Sequence, residues 1–325
     1  MYISEATLDD LLYKVFTELL KLPFNVSPSR GSTSEILGAV LHLSNPRARL
    51  SRDEEKGTVF SALGELFWYL SRSNAVDFIT YYIKRYVKEA EGNIIYGAYG
   101  PRLFNSLDHI DQIQNVISLL RDKPFTRRAV IQILEPKDLI DNHKEIPCTG
   151  SLQFFLRDNK LHMVTTMRSN DAYMGLPHDI FAFTMIQEII ARSLDVDLGE
   201  YRHFVASLHM YESNKVKAQA YLDAGFQSLL HPMPEMPSGD PWPAIRSMIK
   251  IEEKIREQDQ GSDELDNYEL NPYWTDFAYL FKSFSVLKKD TFTDEDKHTL
   301  ESIKRAFSSI TYRTYISKKI AEKLY

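Results

Sequence analysis

Residues 146–211 restrict the possible folds of this chain more than any other stretch. Residues 151–157 and 160–166 read as the two strands of a hairpin around Asp158-Asn159, a pair suited to a tight turn. Residues 179–193 follow as a long helix that is apolar on most sides, which predicts that it is largely buried. Residues 201–209 predict a further strand. Polar clusters interrupt this apolar frame: Met167-Arg168-Ser169-Asn170-Asp171, Gly175-Leu176-Pro177-His178-Asp179 and His209-Met210-Tyr211. Cys148, the only cysteine among 325 residues, opens the stretch behind Pro147.

The flanking sequence supplies mostly helices. Leu8, Leu11, Leu12, Val15, Phe16 and Leu19 recur at helical spacing and predict an amphipathic helix over 5–22. Residues 27–34 read as a loop, 36–43 as a strand, and 51–58 as a charged, mobile segment. Helices are expected over 60–70, with Leu63, Leu66, Phe67 and Leu70 on one face, and over 76–89. Residues 96–100 form a glycine- and tyrosine-rich turn, 110–120 a helix, 129–134 a buried strand and 214–222 a helix. Five prolines between 231 and 243 predict an extended crossing segment. Beyond it, 245–257, 273–287 and 294–325 are helix-like, with a polar break over 258–270. No internal repeat is visible.

Composition narrows the function classes. No apolar run reaches the roughly 18 residues of a membrane span, and the N-terminus lacks the basic and apolar regions of a signal peptide. A cytoplasmic setting without membrane contact is therefore expected. One cysteine excludes an intrachain disulfide and a cysteine-rich zinc site, and no metal is expected. A net charge of −6 argues against a nucleic-acid surface, while a few local arginines still suffice for one phosphate.

Several side chains could carry chemistry. Cys148 as a thiolate is a strong nucleophile, and a guanidinium such as Arg168 would lower its pKa; a buried inert thiol is the alternative. Arg127-Arg128 and Arg168-Ser169 suit a phosphate, or else surface ion pairs. Glu65 sits between apolar neighbours, where a carboxylate can pass protons through water, or is an ordinary solvated position. His209 and Tyr211 alternate on a strand and so share a face; they could hold a sugar hydroxyl or form a core pair. Asp171 and Asp179 flank the Gly-Leu-Pro turn, and Asp179 at a helix start would make a good N-cap.

Together these residues resemble the thymidylate synthase superfamily. The match runs from about residue 30 to residue 211 and includes Arg30-Gly31-Ser32-Thr33, Glu65 to Leu70, Tyr99-Gly100, Asp111-Gln112-Ile113, Arg127-Arg128, Pro147-Cys148, Gln153-Phe154, Arg168-Ser169, Asp171, Gly175-Leu176-Pro177 and His209-Met210-Tyr211. The resemblance implies an α+β fold: a large twisted mixed sheet flanked by helices, forming a catalytic domain over 1–230. Residues 231–325 would then be an added helical region packed on that core. It also implies 5,10-methylenetetrahydrofolate as co-substrate and a homodimer joined through its sheets. Residue by residue, it implies Cys148 as the nucleophile at C6 of a pyrimidine. Arg30, Arg168 and Ser169 would form the phosphate site, with Arg127 and Arg128 reaching in from the partner subunit. Glu65 would organise water, and Tyr99 would sit near the C5 proton. Asp171 and Gly175 would lie near folate and base, and His209 and Tyr211 would hold the ribose 3′-hydroxyl.

The departures from the family pattern are informative. Thymidylate synthases have asparagine where this chain has Asp179. An amide accepts and donates, which suits uracil; a carboxylate only accepts, which suits the N4–H and protonated N3 of cytosine. In the family, aspartate here marks the cytidylate and deoxycytidylate hydroxymethylases, so CMP or dCMP is the implied substrate. Residues 81–91 hold tyrosines and charges but no tryptophan, the tryptophans being Trp68, Trp242 and Trp274. An unshielded exocyclic methylene would be trapped by water, giving a hydroxymethyl group. Thr149 and Met167 also depart, replacing the usual histidine and glutamine. A C5 methylase and a non-catalytic nucleotide-binding homologue are the alternatives.

Overall fold

The structure is a computed structural model that describes every residue except 29, 52–58, 108, 226–231, 259–268 and 325. The charged segment expected over 51–58 falls, but for Ser51, outside the described residues, as does most of the break over 258–270. The chain divides into two compact units, Met1–Leu229 and Leu230–Tyr325.

The first unit is built on a six-stranded mixed sheet. Its strands are β1 (Tyr2–Glu5), β2 (Thr33–Leu43), β3 (Val130–Gln132), β4 (Thr149–Arg157), β5 (Lys160–Asp171) and β6 (Asp197–Tyr211), in the order β1-β2-β6-β5-β4-β3. The β4–β5 hairpin turns at Asp158 and Asn159, both left-handed at φ 49° and 57°, the conformation that a two-residue turn of this hand requires. The β5–β6 pair is parallel, so the chain must cross back between them, and α6 (Gly175–Ser193) makes that crossing. Fourteen of its residues, including Phe181, Phe183 and Ile190, are buried, as its all-round apolarity demands. Helix α2 (Val59–Leu70) packs on α6, and α1 (Leu8–Leu20) buries the leucine stripe read from the sequence. The fold is thus the α+β mixed sheet flanked by helices that the sequence implies.

Several elements differ from expectation. Strand β1 is too short to leave a periodic signal. The helix expected over 76–89 is α3 (Val76–Tyr82), broken at Ile83 (φ −132°, ψ 88°) and followed by a 3-10 turn, Lys84–Glu89. The strand expected to be buried is β3, an edge strand whose Val130 and Gln132 are exposed while Ile131 is buried. The crossing helix begins at Gly175, four residues before Asp179, so Asp179 is not its cap. Two further helices complete the connections: α4 (Tyr99–Phe104) and α5 (Gln112–Asp122), with α7 (Lys215–Asp223) after β6.

The second unit is helical: α8 (Trp242–Arg256), α9 (Pro272–Leu287), α10 (Asp294–Ala306) and α11 (Arg313–Leu324), each packed on the next. Asn271 caps α9, and Thr293 with Asp296 forms a capping box on α10. The proline-rich segment has no helix or strand from Pro232 to Pro241 and buries Met233 and Met236.

Candidate active site

Strand direction brings the polar clusters to one end of the sheet. Strands β5 and β6 run parallel and end at Asp171 and Tyr211, with Asp171 paired to His209. Strand β4 runs the other way and begins at Thr149, so Cys148 lies at that same end. Strand β2 is antiparallel to β6 and begins with Thr33 opposite Tyr211, which places Arg30 just beyond the edge. These ends open into a cleft of about 520 Å³. Cys148, Glu65, Tyr99, Asp179, Arg30, Arg168, Ser169, Asp171, Gly175, His209 and Tyr211 all line it. Arg127 and Arg128 do not; both are exposed on the approach to β3.

The Cys148 thiol is half-buried, and Arg168 secures the chain beside it. The Arg168 guanidinium donates to Pro147 O at 2.9 Å and Ile146 O at 3.1 Å, while its backbone N–H donates to Cys148 O. Burial nonetheless pushes the thiol up to about 11, outweighing the lowering by Arg168. The guanidinium thus acts in the direction expected of it, and burial is the larger cause. Thr149 anchors Tyr99, its N–H and hydroxyl donating to Tyr99 Oη at 3.2 and 3.0 Å.

Asp179 lies deep in the cleft, with one edge open to it. Asn170 Nδ2 donates to Asp179 Oδ2 at 2.7 Å. Burial first, and the Glu65 carboxylate second, raise Asp179 to about 8, so near neutral pH it holds a proton it can share. Gly175 leaves close room for this pair: a Cβ there would lie 3.0 Å from Asn170 Nδ2 and 3.4 Å from Asp179 Oδ2 and press on both. Asp171 Oδ1 accepts from the N–H groups of Tyr173 and Met174, shaping the entry to α6.

Glu65 is only 5% exposed, which excludes a solvated helix position. It accepts from Tyr86 Oη at 2.5 Å, and burial together with Glu65 raises Tyr86 well above its usual range, keeping it a neutral donor. Tyr86 packs edge-on against Trp68, and Arg85 and Glu89 from the same segment also line the cleft. At the rim, Arg30 is 55% exposed and pairs with Glu145 at 2.7 Å and Glu89 at 3.4 Å. His209 and Tyr211 meet edge-to-face at 5.3 Å, half-buried on the cleft wall rather than in the core.

Sequence reasoning missed Asn170, Arg85, Tyr86 and Glu145. Asn170 lay inside a quoted motif, yet only the packing of α6 against β5 brings it onto Asp179. Arg85 and Tyr86 lay in a stretch noted for what it lacked, and the break at Ile83 that turns them inward carries no composition signal. The described residues contain no cluster of three or more potential metal ligands.

Residues 54–236 match the family model described as Thymidylate synthase. A deoxyuridylate hydroxymethyltransferase of Delftia phage PhiW-14 is 28% identical over 198 residues, covering 56% of this chain and 54% of that protein. A thymidylate synthase of Francisella philomiragia subsp. philomiragia is 31% identical over 171 residues, covering 47% of this chain and 62% of that protein. One from Listeria monocytogenes is 32% identical over 112 residues, covering 34% and 35%. The matched stretches thus span less than two thirds of each of these relatives.

Proposed function

The chain belongs to the thymidylate synthase family, and on that premise we propose that it hydroxymethylates C5 of a cytidylate, CMP or dCMP. The observation that carries this reading is the Asp179–Asn170 pair in the same cleft as Cys148. A carboxyl at this depth reads the N3 and N4 edge of cytosine: one oxygen accepts from N4–H, and the shared proton lies between the other and N3. A base without that pattern leaves a buried polar group unmatched, which rejects it strongly.

The cleft also fits 5,10-methylenetetrahydrofolate. Asp171 and Gly175 give the cleft a polar edge, where the Asp171 carboxylate would accept from the N–H groups of a pterin ring. When bound, this group supplies a one-carbon unit at the oxidation level of formaldehyde. The protein's own residues do the rest. Cys148, its thiol proton passed to cleft water, adds to C6 of the base, while Asp179 holds the ring and supplies the proton at N3. Tyr99, fixed by Thr149, stands where the C5 proton leaves. Glu65 and Tyr86 hold the water that adds to the exocyclic methylene, and Cys148 then departs. Arg168 and Arg30 take the phosphate, joined by Arg127 and Arg128 from the partner of a homodimer. His209 and Tyr211 take the ribose 3′-hydroxyl.

A second reading, deoxyuridylate as substrate, is favoured by two observations. A proton on Asp179 lets the carboxyl imitate an amide, and the Delftia phage relative bears that activity in its name. One assay separates the readings. CMP, dCMP and dUMP are each incubated with 5,10-methylenetetrahydrofolate, and nucleotide and folate products are measured. The expected products are a 5-hydroxymethyl cytidylate and tetrahydrofolate. Turnover of dUMP alone would overturn the cytosine assignment, and dihydrofolate absorbance would make the enzyme a methylase. Absence of C5 hydrogen exchange with every nucleotide would mark a binding protein.

A further inference from the structure

Behind Asp179 runs a line of buried side chains that never reaches the cleft. His203 Nε2 lies 3.0 Å from Asn170 Oδ1, and Tyr201 Oη lies 2.7 Å from His203 Nδ1. Thr165 Oγ1, 3.0 Å from the same Tyr201 oxygen, is a hydroxyl that can take either role. Tyr201, His203 and Thr165 are fully buried, and none lines the cleft. Burial lowers His203 to about 3, so its ring is neutral and carries a single N–H. With the Asn170 amide turned to donate to Asp179, its Oδ1 faces His203 Nε2, so that N–H must sit on Nε2. Nδ1 is then the acceptor for the Tyr201 hydroxyl.

The orientation of one amide therefore decides the chemistry of the carboxyl. In the observed order Asp179 Oδ2 accepts from Asn170, and any proton on Asp179 sits on Oδ1. In the reversed order Asn170 Oδ1 faces Asp179, and the proton is consumed at Oδ2 in a bond to Asn170. We propose that His203, held by Tyr201, is a positioning residue that locks the Asn170 amide toward Asp179 and so keeps the carboxyl proton on the oxygen left for the base. The proposal rests on the reading of Asp179 as the base-reading group. A locked carboxyl is an ordered donor–acceptor pair, and order is what separates the N3 and N4–H edge of cytosine from the N3–H and O4 edge of uracil. Without the lock both orders become available and discrimination collapses.

The Asn170 bond also favours the ionised carboxyl, so its loss moves Asp179 further up. The other groups facing Asp179 are Glu65 and Tyr69 of α2, Tyr99 of α4, Cys148, Asp171 of β5, Arg85 and Tyr201 of β6. All but Tyr201 stay in place in the variants below, and both His203 variants keep Tyr201.

The test compares His203→Phe, His203→Gln and Tyr201→Phe with the unaltered protein. In His203→Phe the ratio of kcat/KM for cytidylate over uridylate is expected to fall at least about tenfold. The limb of the binding pH profile that belongs to Asp179 should move to higher pH. Tyr201→Phe should give a smaller fall, and His203→Gln, whose amide can still donate to Asn170, should recover part of the ratio. A folded His203→Phe with unchanged ratio and profile would overturn the lock. Should the variants fail to fold, 15N spectra of histidine-labelled unaltered protein decide: the proton on Nε2 supports the lock, the proton on Nδ1 overturns it. If the unaltered protein prefers uridylate, the cytosine reading falls, yet the change in ratio and the tautomer still judge the lock separately.

Discussion

The floor and the rim of the cleft hold charge in opposite ways. At the floor, Asp179 and Glu65 each accept from a named neighbour, Asn170 and Tyr86, inside a packed wall of α2, α6 and β5. At the rim, Arg30 is open to solvent and leans on two carboxylates, Glu145 and Glu89. Fixed partners at depth suit the base-reading role proposed for Asp179, because little reorganisation remains on binding. Exchangeable partners at the rim suit the phosphate role proposed for Arg30, which would trade carboxylates for a phosphate at low cost in high dielectric.

The comparison can be broken at its centre first. Cys148→Ser is expected to lower kcat by about 10³-fold or more, while calorimetry still detects nucleotide binding through the untouched rim. Turnover close to that of the unaltered protein would remove Cys148 as nucleophile. Gly175→Ala strikes the floor by displacement alone, since its methyl meets Asn170 and Asp179. A drop in kcat/KM on the order of 10²-fold is expected, and an unaffected enzyme would show that the floor gives way easily.

Rim changes should be milder. Arg30→Ala is expected to raise KM about tenfold with kcat little changed, and the loss should shrink as salt rises. Glu145→Gln should lower KM, because it releases Arg30 from its competitor; a rise would mean that Glu145 aligns the arginine instead.

The smallest effect is on stability. Asp179 rises from an ordinary 3.8 to about 8, so between these values the folded state holds a proton that the unfolded chain has lost. Stability at this group is therefore lost as pH rises from about 4 through about 8. Asp179→Asn should raise stability more at pH 8 than at pH 5, by a difference on the order of 1–2 kcal/mol after allowance for the edge open to the cleft, read as a larger gain in Tm at pH 8. An equal change at both pH values would deny the raised carboxyl.

Much of this site was legible because its residues are spaced along strands whose ends meet. Cys148 before β4, Arg168 to Asp171 at the end of β5, and His209 and Tyr211 at the end of β6 announce themselves by type and order. Asp179 was legible as a base-reading group only through the family resemblance: a carboxylate near a helix start also reads as a cap until the start is located at Gly175. Asn170 and His203 gave no sign of acting together, since their contact joins two strands and spans 33 positions. His203 looks like any strand histidine until its two ring nitrogens acquire partners.

The sequence by itself determined the longer core helices, the hairpin and the identity of the chemical groups, because periodicity and side-chain type are local properties. The tertiary structure alone decided which of those groups share one cleft, which way the Asn170 amide points, and in which direction burial moves Cys148 and Asp179. Burial and neighbouring charge fix those states, and both arise only when strands distant in the chain close on one another.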